Sequence, residues 1–205
     1  TAAFDAACRE AGGKFVTGLF AAVAITDHEL AGRDDYAGIT VLGTRHLGDF
    51  ALSQGWFCNF APVTFPVAGA GDFRTLVGRA GEAYARTKAT AAAPIGKVLQ
   101  LLFESGVGGA GLASSPHLLY YIDFRWFPGH GSEADDDAIL FTGEGRTANA
   151  SMWFNRDDRH FYLGSQTPAT PEAQRQVARY HQHLREVLHT VARDGNRVVG
   201  GGACT

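Results

Sequence analysis

The chain has 205 residues, and its 45% hydrophobic content is enough to fill a folded core. Its 18 basic and 21 acidic residues give a formal net charge of −3, which argues against the basic surface of a nucleic-acid or anionic-membrane binder. Three cysteines without paired spacing indicate neither a disulfide framework nor a zinc site and fit a reducing, cytoplasmic compartment, and no apolar run is long enough to span a bilayer.

The first half of the chain alternates helical and strand-like segments. Apolar residues recur at helical spacing after the Gly12-Gly13 break, which predicts a half-buried helix there. Asp72 is a good N-cap for the alanine-rich helix that follows it, and Pro94 ends that helix. Runs of β-branched and aromatic residues predict strands. Helices are expected at 4–10, 14–30, 72–92 and 95–103, and strands at 36–45 and 55–67.

The second half of the chain combines strand signals with one long amphipathic helix. Turn residues separate four strand-like segments, and we expect the last two to form a hairpin. Thr170 and Pro171 provide an N-cap and a proline at the first helical position, and this helix ends near Gly195. Residues 1–195 are expected to form one subdomain, followed by a flexible glycine-rich tail at 196–205. The strands are expected at 118–126, 138–142, 148–155 and 160–163.

The order of these elements is typical of an α/β protein with a mostly mixed β-sheet covered by helices. The sequence contains no GxSxG elbow, P-loop, HExxH or strand-following GxGxxG motif, so it carries no hydrolase, nucleotide or zinc-protease signal. None of its eight histidines forms a His-His pair or an HxxxDG stretch.

One histidine stands in an acidic, glycine-flanked segment. His130 precedes Glu133 and the run Asp135-Asp136-Asp137, and imidazole and carboxylate groups are ligands that divalent cations accept. A solvated charge run in a hairpin turn explains the same pattern, and we favour this second interpretation. We therefore predict no metal site.

A polar amide stands within an aromatic strand. Asn59 lies between Cys58 and Phe60, and a buried amide must be hydrogen-bonded or it costs about 1 to 3 kcal/mol. Asn59 therefore either faces solvent or has a buried role, in which it faces a cavity or braces the backbone. The sequence leaves these possibilities open.

A pair of opposite charges stands within a second aromatic strand. Strand alternation places Asp123 and Arg125 on one face, and Phe124 and Trp126 on the other. One hypothesis is an ion pair within the strand at the edge of the sheet. The other is a charge-assisted bond from one of them to a loop that shapes a substrate channel.

Several short motifs stand in a fixed order along the chain. They are Gly43-Thr44-Arg45 at a strand end, the Gly-x-Phe-x-Asn strand of residues 55–62, Ala93-Pro94-Ile95, the strand entry at 115–118, and the stretch 123–129 with Trp153 in a later strand. In this order the chain resembles the C-terminal half of nonribosomal-peptide condensation domains and of polyketide-associated (PapA-like) acyltransferases. The last stretch resembles the PapA-like acyltransferases more closely.

The resemblance implies a fold and a division of labour. These families have two chloramphenicol-acetyltransferase-like halves arranged in a V, with a substrate tunnel between them. An HHxxxDG motif in the N-terminal half supplies the histidine that deprotonates the acceptor, and this sequence has no such motif. The C-terminal half supplies the second wall of the tunnel. By resemblance, the wall positions are Arg45, Gly55, Asn59, Asp123, Arg125 and Trp126.

The resemblance also implies partners and substrates. The donor is an acyl-CoA or a phosphopantetheine-linked acyl thioester on a carrier protein, the acceptor is a hydroxyl or an amine, and no further cofactor is expected. Because the sequence begins at Thr1 and lacks the histidine motif, we expect the catalytic half to precede it in the gene or to lie on a second chain. The alternatives are a non-catalytic half-domain that binds an acyl chain or a carrier protein or mediates assembly, and a metal site at His130.

Overall fold

A computed structural model of the chain describes residues 1–45, 53, 55, 57–106, 117–127, 130–132 and 151–200. The helices are α1 (Ala2–Glu10), α2 (Phe15–Ala31), α3 (Phe73–Ala89), α4 (Ile95–Glu104) and α5 (Pro171–Asp194). The strands are β1 (Asp35–Gly43), β2 (Cys58–Pro66), β3 (Leu119–Asp123), β4 (Ser151–Arg156) and β5 (Phe161–Gln166), and a short 3-10 helix covers Phe124–Trp126.

The described strands form two hydrogen-bonded groups that a single bridge connects. β1 and β2 are antiparallel, while β3 runs parallel to β4, and β4 forms the predicted antiparallel hairpin with β5. A parallel bridge between Ile39 and Leu118 connects β1 to the start of β3. The β3-β4-β5 sheet has one parallel and one antiparallel pair, which confirms the prediction of a mixed sheet, while β1 and β2 form a second sheet. The strand predicted at 138–142 lies outside the described residues.

The side chains that begin the two longest later helices act as the sequence predicts. The Asp72 carboxylate accepts the amide of Thr75 at 2.9 Å at the start of α3. The Thr170 hydroxyl accepts the amide of Ala173 at 3.2 Å at the start of α5. Both bonds satisfy a backbone donor that the first helical turn leaves without a partner. These helices therefore begin where their caps stand.

α2 is the central helix of the core, and the prediction that it is half buried is wrong. Residues 19 to 25 are all fully buried, because α1, α3, α5 and β1 surround the helix. Small residues make this close packing possible. A Cβ atom on Gly18 would lie 2.1 Å from the Cys8 sulfur, so glycine is required where α1 crosses α2. Apolar spacing alone does not distinguish a helix packed on one side from one packed on all sides.

The beginning of the predicted flexible tail is bound to the rest of the fold. The carbonyl of Arg197 accepts the amide of Phe73 at 2.8 Å, and the Val199 amide donates to the carbonyl of Gly71 at 3.0 Å. The Gly200 amide donates to the Glu29 carboxylate at 3.0 Å. The prediction of a flexible tail is therefore wrong for residues 196–200, because backbone and carboxylate partners satisfy them. Residues 201–205 lie outside the described part of the chain.

Candidate substrate-binding site

A pocket of about 520 Å³ opens where β3 ends and α2 begins. Its walls come from α1, the first turn of α2, β1 and the ends of β3 and β4. Three of the six predicted wall residues, Asp123, Arg125 and Trp126, line it. Arg45 and Gly55 are not among its described lining residues. The structure therefore brings three of the six predicted wall residues together in this pocket.

The ion pair between Asp123 and Arg125 is formed, but not within a strand. β3 ends at Asp123, and the chain turns into the 3-10 helix, so the prediction of a continuous strand to Trp126 is wrong. Arg125 donates from Nε to Asp123 Oδ1 at 2.8 Å and from Nη2 to Oδ2 at 2.6 Å. The Asp123 carboxylate also caps the turn by accepting the Arg125 amide at 3.3 Å. The Arg125 backbone amide therefore has a side-chain acceptor at the point where the strand ends.

A tyrosine hydroxyl also donates a hydrogen bond to the Asp123 carboxylate. Tyr121 donates from its hydroxyl to Asp123 Oδ2 at 2.8 Å. Burial raises the pKa of Asp123, but the hydrogen bonds from Arg125 and Tyr121 outweigh it and hold that pKa below the usual value. Burial and the neighbouring carboxylate raise the pKa of Tyr121. Asp123 is therefore an anion and Tyr121 a neutral donor at neutral pH.

The aromatic residues after β3 form an exposed rim. Trp126 is 82% exposed and Phe127 is 50% exposed, and the Phe127 ring meets Phe124 edge to face with centroids 5.2 Å apart. Exposed aromatic side chains of this size are typical of surfaces that bind a ligand or another protein. The next two residues, 128 and 129, lie outside the described residues.

Arg45 and Gly55 belong to a different structure, beside the end of β1. The Arg45 guanidinium donates to the carbonyls of Ser53 and Gly55, the second at 3.3 Å, and lies 4.7 Å from the centre of the Phe57 ring. Gly55 has a φ of +138°, a conformation that glycine adopts most readily. Together these contacts tie Arg45, just after β1, to Ser53, Gly55 and Phe57, which precede β2. Trp56 lies outside the described residues.

Asn59 braces the backbone, which is one of the possibilities that the sequence leaves open. Its amide group donates to the carbonyls of Ala91 and Ala93, the first at 3.1 Å, and its oxygen accepts the Phe60 amide at 3.0 Å. The residue is 6% exposed. One side chain therefore joins β2 to the segment between α3 and α4.

Sequence reasoning missed four charged residues of the pocket, Asp5, Arg9, Lys14 and Arg156, of which Arg156 is the most buried. Arg156 is 5% exposed, its guanidinium lies 4.6 Å from the centre of the Phe15 ring, and its Nη1 is 3.6 Å from Asp5 Oδ2. The sequence interpretation assigns Arg156 to a turn. A signal was present, since Arg156 continues the alternation of Met152 and Phe154, whose side chains face the core.

The remaining candidate residues do not form a metal centre among the described residues. His130 Nε2 lies 2.8 Å from Asp158 Oδ2, on the β4–β5 turn. The acidic residues at 133 and 135–137, which the metal hypothesis requires, lie outside the described residues. Within the described ranges, no group of three histidine, cysteine or acidic side chains is placed to share a metal ion.

A second, smaller cavity of about 280 Å³ lies at the opposite end of the sheet, beside α5. Near it the Tyr180 hydroxyl donates to Asp27 Oδ1 at 2.8 Å, and burial raises the pKa of Asp27. Burial lowers the pKa values of His117 and His181, which both line the cavity. The cavity is mostly apolar and lies away from the predicted wall.

No helix in the described part of the chain combines the length and hydrophobicity needed to cross a membrane. No protein-family model matches the chain.

Two curated relatives match nearly the whole chain but less than half of their own length, and a third matches a shorter segment. Acyltransferase PapA3 of Mycobacterium tuberculosis is 27% identical over 211 residues, which cover 96% of this chain and 42% of that protein. Trehalose-2-sulfate acyltransferase PapA2 of Mycobacterium bovis is 28% identical over 198 residues, with the same two coverages. The PapA1 protein of Mycobacterium tuberculosis, a 2'-acyl-2-O-sulfo-trehalose (hydroxy)phthioceranyltransferase, is 46% identical over 69 residues, 34% of this chain and 13% of that protein.

Solved structures show the same fold. The structure of the PapA2 acyl transferase superposes with a TM-score of 0.75 at 24% identity, covering 93% of this chain and 41% of that one. The X-domain from teicoplanin biosynthesis superposes with a TM-score of 0.73 at 19% identity, covering 99% and 47%. The chain is thus a relative of the PapA acyltransferases that has the fold shared by PapA2 and the condensation domains and spans about two fifths of the length of its curated relatives.

Proposed function

We propose that the chain is the C-terminal half of an acyltransferase and forms one wall of its substrate tunnel. The observation that carries this proposal is the pattern of coverage, 96% of this chain against 42% of PapA3. The absence of HHxxxDG from the sequence agrees with a catalytic histidine on the remaining part of the enzyme. The order of the motifs from Arg45 onward supports the C-terminal placement.

The proposed reaction moves an acyl group from a thioester to a hydroxyl or an amine. A histidine of the other half takes the proton of the acceptor, whose oxygen or nitrogen attacks the thioester carbonyl. The bond from the carbonyl carbon to sulfur breaks, and the thiolate takes up a proton as it leaves. The donor is an acyl-CoA or a phosphopantetheine-linked thioester. The trehalose derivatives in the names of PapA1 and PapA2 support a carbohydrate hydroxyl as the acceptor.

In this proposal the described residues bind and orient substrate. Asp123 and Arg125 fix each other and the end of β3, and Trp126 offers an exposed ring at the rim of the pocket. Arg45, Gly55 and Asn59 act indirectly: the contact of Arg45 with Gly55 ties the end of β1 to the residues before β2, and Asn59 joins β2 to the segment between α3 and α4. The isolated chain then has binding surface but no general base.

The proposed role as a tunnel wall can be tested by enzyme kinetics. The protein for this test joins the chain to an N-terminal half that carries HHxxxDG. Replacing Arg125 by Gln removes the bidentate contact with Asp123, and we expect kcat/KM to fall about tenfold or more, since misplaced binding groups reduce transition-state stabilisation. Arg193→Gln is a matched control, because Arg193 makes the same two contacts with Asp194 at 2.7 Å outside the pocket. Equal activity of both variants would contradict the assignment of the pocket.

A second candidate function is a non-catalytic docking module. One fold neighbour, the X-domain of teicoplanin biosynthesis, has been solved in a complex with OxyB, with a TM-score of 0.69 to this chain. The exposed Trp126 and Phe127 agree with a protein-binding rim. Under this alternative, supplying a half with HHxxxDG yields no acyl transfer, whereas the chain still binds a carrier protein in a pull-down assay.

A further inference from the structure

The 520 Å³ pocket is lined by more cationic than anionic side chains. Six charged side chains line it: Arg9, Lys14, Arg125, Arg156, Asp5 and Asp123. Asp5 is paired with Arg9 at 2.9 Å, and Asp123 is paired with Arg125 through two hydrogen bonds. After this pairing, the described lining residues provide no separate carboxylate for the two remaining cationic groups, those of Lys14 and Arg156.

Arg156 is held in the pocket with donor capacity unused. Its side chain is 7% exposed, and its Nε has no hydrogen-bond partner in the described structure. Among the described residues, the carboxylate in ion-pair range of it is that of Asp5, at 3.6 Å, which already accepts the shorter bond from Arg9. A buried donor without an acceptor costs about 1 to 3 kcal/mol. Phe15 holds the guanidinium in place by stacking, so this cost is not relieved by rotation into solvent.

The N-terminus of α2 supplies further donors in the same pocket. Lys14 is the N-cap, and its own amide is satisfied by the Thr17 hydroxyl at 2.8 Å. The amides of the next two residues, Phe15 and Val16, have no acceptor among the described contacts, and both residues line the pocket. The first amides of a helix and its dipole together favour an anion. α2 has 17 residues, so its dipole is fully developed.

Gly13 makes this arrangement possible. A Cβ atom at this position would lie 2.2 Å from the Cγ1 of Val77 and 2.6 Å from the Thr17 hydroxyl. Glycine therefore allows the segment before α2 to lie directly against α3. The start of α2 thus lies against α3, and Lys14, Phe15 and Val16 line the same pocket as Arg156, whose guanidinium stacks on the Phe15 ring.

We propose that this corner of the pocket, formed by Lys14, the amides of Phe15 and Val16, and Arg156, binds a tetrahedral oxyanion of a substrate. Phosphoryl and sulfuryl groups share this chemistry, since several oxygens accept bonds from donors in different directions. The inference rests on the proposed function for its substrates. The oxyanion belongs to a phosphate of the thioester donor or to a sulfate ester on the acceptor. PapA1 and PapA2 carry sulfated trehalose in their names.

Binding of inorganic sulfate and inorganic phosphate to the chain tests the site without any reaction. At low ionic strength we expect saturable shifts of the Phe15 and Val16 amide resonances. Lys14→Gln, at an exposed position, is expected to weaken binding about tenfold, as for the loss of one charge-assisted contact. Lys97→Gln on α4 is the matched control and should bind as the wild type does. Arg156→Gln should also weaken binding, and Lys14→Gln keeps the test valid if that buried variant does not fold.

Two pairs of compounds identify the source of the oxyanion. Tighter binding of coenzyme A than of pantetheine, lost in Lys14→Gln, assigns the site to the donor. Tighter binding of trehalose 2-sulfate than of trehalose, lost in the same variant, assigns it to the acceptor. If none of the ions or compounds shifts these amides, or if Lys14→Gln binds as the wild type does, the inference is overturned. Intact binding without acyl transfer in the joined enzyme would instead overturn only the proposed function.

Discussion

Arg125 donates through Nε and Nη2 to both oxygens of the Asp123 carboxylate, at 2.8 and 2.6 Å, although only one residue separates them. The 3-10 turn that begins at Phe124 brings the guanidinium back over the end of β3. Tyr121 donates to the same carboxylate from within the strand. One anion thus ends the strand, orients a cation and forms part of the pocket.

This arrangement predicts a pH-dependent contribution to stability. The pKa of Asp123 is lowered in the folded protein, so its stabilising effect is complete above the ordinary pKa of about 3.9 and is lost as the pH falls through the lower, folded value. We expect Asp123→Asn to lower the urea midpoint at pH 7, and the difference from wild type to shrink below about pH 4. Glu82→Gln, at an exposed position of α3, is the control. A difference that grows with acidity would contradict the assignment.

Asn59 predicts a specific loss of stability. Asn59→Ala removes the donors to the Ala91 and Ala93 carbonyls, and we expect a loss of about 1 to 3 kcal/mol in the free energy of unfolding. Asn59→Asp keeps the shape but directs a carboxylate at those carbonyls, so it should cost more than alanine does. Urea denaturation measures both. If Asp is tolerated as well as Asn, the amide does not brace the backbone.

We expect alanine substitutions at two glycines to change the stability of the protein in opposite directions. A Cβ atom on Gly164 in β5 would lie 2.2 Å from the Trp153 Nε1 on β4, so Gly164→Ala should destabilise the hairpin by about 1 to 3 kcal/mol. Gly78 in α3 has no atom within 4 Å of the same position. Gly78→Ala should therefore stabilise the protein by about 0.5 to 1 kcal/mol, because alanine is the better helix former. Thermal unfolding of both variants measures the two effects. If Gly164→Ala stabilised the protein, the Trp153 indole would not lie against Gly164.

The contacts of Glu29 with Arg197 and Gly200 lead to a prediction about residues 196–200. Its carboxylate accepts from Arg197 Nη2 at 2.6 Å and from the Gly200 amide at 3.0 Å, and it lies 2.6 Å from His183 Nε2. Glu29→Gln should cost about 1.5 to 3 kcal/mol, as for hydrogen bonds to a charged group, and should speed amide exchange at Gly200. Glu186→Gln on the exposed face of α5 is the control. Unchanged exchange at Gly200 in Glu29→Gln would show that Glu29 does not hold this segment.

The elements that begin and end through local chemistry were predictable from the sequence. Asp72 and Thr170 cap α3 and α5, and Gly195 ends α5 with a φ of +72°, each through contacts within a few residues. The β4–β5 hairpin follows from alternation and turn residues in the same way. Local signals are sufficient where the decisive contacts are themselves local.

The features that the sequence did not predict depend on contacts between distant segments. The burial of α2 on every side requires α1, α3 and α5 around it, and Glu29 holds residues 196–200 across more than 160 positions of the chain. Arg156 becomes part of the pocket only because Phe15 and Asp5 meet the end of β4. The sequence predicts the Asp123–Arg125 pair within a strand, whereas Arg125 lies in a 3-10 helix. Strand alternation carries no signal for such a turn.

The central claim is that the chain forms part of an acyltransferase whose catalytic histidine lies elsewhere. The most direct measurement is thiol release from an acyl-CoA with a hydroxyl acceptor, followed by mass spectrometry of the acylated product. We predict no acyl transfer by the chain alone and transfer when it is supplied with a half that carries HHxxxDG. Acceptor-dependent acyl transfer by the chain alone would contradict the claim.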